Sequence, residues 1–262
     1  MNDIGAHLAA MRNTAPLVQN ITNYVAMNVM ANALLAAGAS PAMVHAREEA
    51  AEFAGLAQAL SVNIGTLDPD WVTAMEDAAR VMNDAGKPWV LDPVAVGATA
   101  LRRDAGARLL ALKPSVVRGN ASEVMALAGA DAAGRGADAA DEVASAEAAA
   151  RDIATRTGGV VAVTGPVDYV TDGAAAYRIE NGSAMMPRVT ALGCALSGVV
   201  AGFAVGQEPL PATVAALAFY GLAGEEAAAR AQGPGSFLPA FIDALAGVTP
   251  EALDRGAKVM GA

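Results

Sequence analysis

A chain of 262 residues that is 54% hydrophobic and 17% charged is long enough to bury a sizeable core, and one domain over 1-262 is expected. Its net charge of −10, with 17 scattered Lys and Arg, argues against phosphate-driven binding of nucleic acid. One cysteine excludes an intrachain disulfide, and with only His7 and His45 it makes a poor zinc set, so a cytoplasmic setting is expected. So few charges leave a monomer short of polar cover, which points to a homo-oligomer.

Residues Met1 to Ala15 lack the basic, apolar and small-residue pattern of a secretory signal, and a helix is expected there. Apolar runs at Ala42–His45, Ser61–Ile64, Trp89–Asp92, Ser115–Arg118 and Val160–Thr164 predict strands. Between them, helical patterns occupy Glu48–Gln58, Pro69–Ala85, Ala105–Ala111 and Ser122–Ala128. This alternation predicts an α/β protein with a mostly parallel central sheet and helices on both faces. Gly38-Ala39-Ser40-Pro41 is expected to be a loop, as is the low-complexity stretch Gly129 to Asp141.

Asp172-Gly173, flanked by Asp168–Thr171 and Ala174–Ile179, predicts an antiparallel hairpin added to the sheet. From Gly193 onward the pattern is all helical, with Gly193–Val205, Pro211–Arg230 and Gly235–Ala246 as the elements. Val189 to Gln207 is nineteen residues without a charge, but its four glycines and missing flanking anchors favour a buried helix over a membrane span.

In open parallel sheets, ligands bind beyond the carboxyl ends of the strands. Asp92-Pro93, Arg118-Gly119-Asn120 and Thr164-Gly165 all fall at such ends. Asn120-Ala121-Ser122-Glu123 has the form of a capping box, which is its plain structural explanation. The functional alternative gives Glu123, with Asp92 nearby, to a hydrated Mg²⁺, an ion that needs few carboxylates, and gives Arg118 to a nucleotide phosphate. Cys194 follows Gly193 at the expected start of an apolar helix, where unpaired backbone amides favour an anion. A buried lone cysteine is commonly just a small hydrophobe. At a helix start, however, its thiol pKa is expected to fall toward neutrality, making it an acceptor for the proton of an attacking hydroxyl. Neither a Walker motif nor a dinucleotide-binding glycine pattern is present in a suitable context.

Several segments together resemble the hydroxyethylthiazole kinases of the ribokinase-like superfamily, over nearly the whole chain. They are Gln19-Asn20-Ile21-Thr22-Asn23-Tyr24-Val25 with Asn28, Gly38 to Met43, Asn63 to Leu67, Leu91 to Thr99, Arg118 to Glu123 and Val163-Thr164-Gly165. The resemblance implies a ribokinase-like three-layer fold, ATP as co-substrate and Mg²⁺ as cofactor. The reaction it implies is phosphorylation of the hydroxyethyl group of 4-methyl-5-(2-hydroxyethyl)thiazole, a step of thiamine biosynthesis and salvage.

By the same resemblance, Arg118 and Thr164 contact ATP, with Asn120 and Gly193 beside them. Met43 and Asn23 serve the thiazole, Glu123 and Asp92 serve the metal, and Cys194 takes the place of a catalytic base. The implied assembly is a trimer with sites between subunits. Where the family has Gly-Thr-Gly-Cys this chain has Ala191-Leu192-Gly193-Cys194. A substrate-contacting glycine is implied at position 191, and a backbone contact survives an alanine there if φ stays negative. The competing functions are a ribokinase-like kinase acting on a hydroxymethylpyrimidine, and a thiazole- or nucleotide-binding protein with little turnover.

Overall fold

The computed structural model describes residues 3–129 and 139–262. Its elements run α1 (Ile4–Thr14), β1 (Leu17–Ile21), α2 (Met27–Ala37), β2 (Ser40–Ala42), α3 (Ala50–Leu56), β3 (Ala59–Asn63), α4 (Pro69–Asp84), β4 (Trp89–Asp92), α5 (Ala100–Ala111), β5 (Val116–Asn120) and α6 (Ala121–Ala128). They continue with α7 (Ala139–Thr157), β6 (Val160–Thr164), β7 (Asp168–Thr171), β8 (Ala176–Ile179), α8 (Leu192–Phe203), α9 (Pro209–Arg230), α10 (Pro234–Gly247), α11 (Pro250–Gly256) and β9 (Val259–Gly261).

One nine-stranded sheet has the order β2-β1-β3-β4-β5-β6-β7-β8-β9. Strands β2 through β6 in that order pair parallel, and β7, β8 and β9 join antiparallel. The period-two alternation of strand side chains divides the core into two layers. Val18, Val90, Val116, Val160 and Ala162 pack with α1, α2, α8, α9 and α10 on one face. Leu60, Val62, Leu91, Val117, Val161 and Val163 pack with α3, α4, α6 and α7 on the other. The three-layer α/β architecture is the one expected from the sequence.

The details differ where local pattern was a poor guide. The edge strand is Ser40–Ala42 rather than Ala42–His45, so Ser40 and Pro41 are strand and not loop. Pro41 is tolerated because β2 pairs on one side only. β1 escapes an apolar pattern because Gln19 and Asn20 are fully buried within it. Gln19 meets the carbonyls of Val44 and Ala50, and Asn20 that of Val18. α5 starts at Ala100, earlier than expected, because Thr99 accepts a hydrogen bond from the Arg102 N–H. The hairpin forms, but it turns across the four residues 172–175 rather than at Asp172-Gly173 alone: only Gly173 takes a positive φ, 94°, and β8 starts at Ala176 rather than Ala174. The C-terminal region is not wholly helical, since β9 extends the sheet beside β8.

Most of the predicted loop from Gly129 lies outside the described residues, and α7 has begun by Ala139. Val189 to Gln207 contains the buried α8, and no helix among the described residues is long and apolar enough to cross a membrane.

Candidate active site

The carboxyl ends of β3, β4, β5 and β6 meet the N-terminus of α8, and a continuous polar network forms there. Asp92, the last residue of β4, is completely buried. Its Oδ2 accepts hydrogen bonds from Asn63 Nδ2 and Ser197 Oγ, both at 2.8 Å. Arg118 Nη1 lies 3.6 Å from the same oxygen. Burial raises the Asp92 pKa to about 6, with the Arg118 charge and the two hydrogen bonds opposing the shift.

Arg118, in the middle of β5 and paired with Ala162 of β6, ties the site together. Its Nη1 donates to the Gly193 carbonyl at 3.0 Å, and its Nη2 to Thr164 Oγ1 at 2.6 Å. Only a glycine allows that approach comfortably, because a Cβ at position 193 would lie 3.2 Å from Nη1. Arg118, Thr164, Gly193 and Asp92 are thus brought into one constellation.

Asn23 continues the network on the other side. Its Nδ2 donates to Asn63 Oδ1 at 2.8 Å and approaches Cys194 Sγ at 3.3 Å, while its Oδ1 accepts from the Ala26 N–H. Met43 is not part of these hydrogen bonds and packs, half-buried, against the core layer that contains α8.

Two expectations about the α8 start are corrected. Ala191 has φ +69° in the turn at 190–191 that leads into α8, so the negative φ on which a backbone contact there depended is not met. The Cys194 thiol is pushed up from its ordinary pKa rather than down. Burial is the largest cause, followed by the neighbouring Asp92 charge; together they outweigh the Asn23 and Asn63 hydrogen bonds and the Arg118 charge.

Asn120 and Glu123 do form the capping box. Asn120 Oδ1 accepts from the Glu123 N–H, and Glu123 Oε2 accepts from the Asn120 N–H, each at 2.9 Å. Glu123 Oε1 also accepts from the Ala95 N–H at 3.0 Å, fastening the loop after β4 to α6.

A cavity of about 740 Å³ opens on this constellation, with Arg118, Thr164, Asp168, Ala191, Gly193 and Tyr220 in its wall. Asp168 accepts from the Gly165 N–H, and burial raises its pKa to about 6. No individual role was assigned from sequence to Asn63, Ser197, Tyr220 or Arg102. Asn63 could have been found by the strand-end rule, and Ser197 because it lies one turn from Cys194 on the same face of α8. Arg102, which donates to the carbonyls of Ile64, Gly65 and Val94 in the loops after β3 and β4, carries no local signal.

The chain matches the pattern of the Hydroxyethylthiazole kinase family over residues 8–251. It belongs to that family. A relative named hydroxyethylthiazole kinase from Cereibacter sphaeroides is 67% identical over 262 residues, covering all of both chains. Another so named, from Rhizobium johnstonii, is 60% identical over 98% of this chain and 97% of its own. The solved structure of a hydroxyethylthiazole kinase from Pyrococcus horikoshii superposes with a TM-score of 0.91 at 40% identity, covering 99% of this chain and 98% of that one. A Staphylococcus aureus pyridoxal kinase solved with AMP-PCP and pyridoxal shares the fold at 16% identity and TM-score 0.66, over 94% and 98% of the two chains. The ribokinase-like architecture expected for this family is therefore the one observed.

Proposed function

We propose that this chain transfers the γ-phosphate of ATP to the primary alcohol of 4-methyl-5-(2-hydroxyethyl)thiazole, in thiamine biosynthesis and salvage. Family membership supports the reaction class, and the observation that carries it to this chain is the Arg118 bridge joining Thr164 to the Gly193 carbonyl beside Cys194. ATP enters the 740 Å³ cavity, where Arg118, Thr164 and the backbone at Gly193 receive its phosphates. The thiazole sits on the Asn23 and Met43 side; Ala191, with its positive φ, lines the nucleotide cavity and loses the condition on which its contact with the thiazole depended.

In the reaction, the alcohol oxygen bonds to the γ-phosphorus as the bond from that phosphorus to the bridging oxygen breaks, and ADP leaves. The raised thiol pKa favours an orienting role for Cys194, with the hydroxyl proton passing to the transferred phosphoryl group. This fits a loose transition state, which gains more from positioning and charge than from a strong base.

Mg²⁺ fits the oxygen donors of this site. Asp92 Oδ1 is buried and has no hydrogen-bond partner among the described residues, and Glu123 supplies a second carboxylate close to the same loop. Asp92 and Glu123 would hold Mg²⁺, which when bound neutralises charge on the phosphate oxygens. Capping α6 commits Oδ1 of Asn120, which leaves its exposed amide nitrogen to serve the nucleotide.

A cytoplasmic trimer with sites shared between subunits completes the reading. Tyr24 and Val25, 66% and 58% exposed beside the buried Asn23, supply apolar surface for a neighbouring subunit. ADP release measured with ATP and Mg²⁺, with and without the thiazole alcohol, tests the reaction. Release that depends on the thiazole is expected; release with a hydroxymethylpyrimidine alone, or nucleotide binding without release, would replace it with one of the two competing functions.

A further inference from the structure

The first turn of α8 is held in place from a distance. Ala191, its N-terminal flanking residue, adopts a left-handed conformation, and no side chain caps the helix there. Local sequence therefore does little to fix the amides of Gly193 and Cys194. Two side chains from elsewhere bind the carbonyls of that turn instead. Tyr220, on α9 and only 2% exposed, donates from Oη to the Leu192 carbonyl at 2.7 Å. Arg118 donates to the next carbonyl, that of Gly193. A trans peptide holds its C=O and N–H antiparallel in one plane, so holding the Leu192 oxygen also sets the direction of the Gly193 N–H. Holding the Gly193 oxygen does the same for the Cys194 N–H.

We infer that Tyr220 is a positioning residue for phosphoryl transfer, aiming the first-turn amides of α8 at the transferred phosphate while touching neither substrate. The inference rests on the proposed kinase reading and adds a residue to it. Tyr220 lines the cavity yet turns its hydroxyl to the backbone. Burial pushes its phenol pKa far up, so it remains a donor throughout the working pH range. Arg118 faces the phosphate and its own partners, leaving Tyr220 as the hydroxyl dedicated to this turn. Preorganised amides matter most in the transition state, where charge on the phosphoryl oxygens is being redistributed, so the effect belongs in kcat.

Tyr220→Phe keeps the ring and removes only the donor. Tyr169→Phe is the matched control: Tyr169 is 4% exposed and its hydroxyl has no hydrogen-bond partner among the described residues. With both variants read well below their melting temperatures, Tyr220→Phe is expected to lower kcat about tenfold while the Kd for ADP stays within about twofold. Affinity for ADP with aluminium fluoride and the thiazole alcohol should fall in proportion to kcat. Tyr169→Phe should leave all three within about twofold. An unchanged kcat in Tyr220→Phe, or equal losses in ADP affinity and kcat, would overturn the inference. If the wild type releases no ADP with the thiazole, the kinase reading fails separately, and Tyr220 is then judged by paired labelling with carbonyl-¹³C leucine and ¹⁵N glycine. Leu192-Gly193, the one Leu-Gly pair in the sequence, gives one carbonyl-coupled amide signal. Its displacement in Tyr220→Phe but not in Tyr169→Phe sustains the positioning role, and an unmoved signal removes it.

Discussion

Two helices begin beside the same cluster of strand ends, and they begin in opposite ways. α6 is closed by its own sequence: Asn120 and Glu123 cap each other's backbone, and Glu123 reaches on to the Ala95 N–H. α8 has no side-chain cap, starts from a left-handed alanine, and is fixed by Arg118 from β5 and Tyr220 from α9. A helix start that satisfies its own donors has less to offer a phosphate, whereas one secured through its carbonyls keeps its first amides for a ligand. On the proposed reading, the difference separates a scaffold from an anion seat within one site.

The largest effect should come from the α8 side. Arg118→Ala removes the bonds to Gly193 and Thr164 and leaves Asp92 without its nearest positive charge. A fall of about 10³-fold in kcat/KM is expected in steady-state kinetics, comparable to losing a principal charge-stabilising donor. Retention of most activity would move the phosphate seat elsewhere.

Next in size is Cys194→Ala. An orienting thiol should be worth about tenfold in kcat, whereas a general base would be worth about 10²- to 10⁴-fold. Steady-state rates at saturating substrate distinguish the two, and a loss in the larger range would restore the proton-accepting role despite the raised thiol pKa.

On the α6 side, Asn120→Ala should cost about 1 kcal/mol of stability by removing the cap, measured by denaturant unfolding. The KM for ATP should rise no more than about threefold, because Oδ1 of Asn120 is held by the helix and only its exposed amide nitrogen is left to meet nucleotide. A large rise in KM with unchanged stability would reverse the scaffold assignment.

Much of this contrast was legible in the sequence, for a physical reason. Capping boxes, strand-end polar residues and the Asp172-Gly173 turn are local signals, so α6, the ends of β4, β5 and β6, and the hairpin could all be anticipated. The motif resemblance drew Asn23, Asp92, Arg118, Thr164 and Cys194 to one reaction, and the fold brings these five into one network. What stayed hidden depends on contacts far apart in the chain. Tyr220 meets Leu192 across 28 positions, and Ser197 meets Asp92 across 105. The rise in the Cys194 pKa likewise needs the burial and the Asp92 charge that only the assembled fold supplies. β1 was obscured for a related reason: its buried Gln19 and Asn20 find their partners in the backbone rather than in an apolar pattern.

The smallest of these effects concerns Ala191. A left-handed alanine is strained by about 1–2 kcal/mol, and glycine relieves this at some cost in unfolded-state entropy. Ala191→Gly should therefore raise stability by about 0.5–1 kcal/mol in denaturant unfolding. Loss of stability would mean that contacts of the alanine methyl outweigh the backbone strain.

The central claim, that α8 and not α6 presents the anion seat, is tested most directly by the amide signals of Cys194 and Glu123 in ¹⁵N-labelled protein titrated with ADP, aluminium fluoride and the thiazole alcohol. The account predicts a downfield displacement of the Cys194 amide as it takes up a phosphoryl oxygen, with the Glu123 amide, already bound to Asn120 Oδ1, held within a small fraction of that change. A displaced Glu123 amide beside an unmoved Cys194 amide would contradict it.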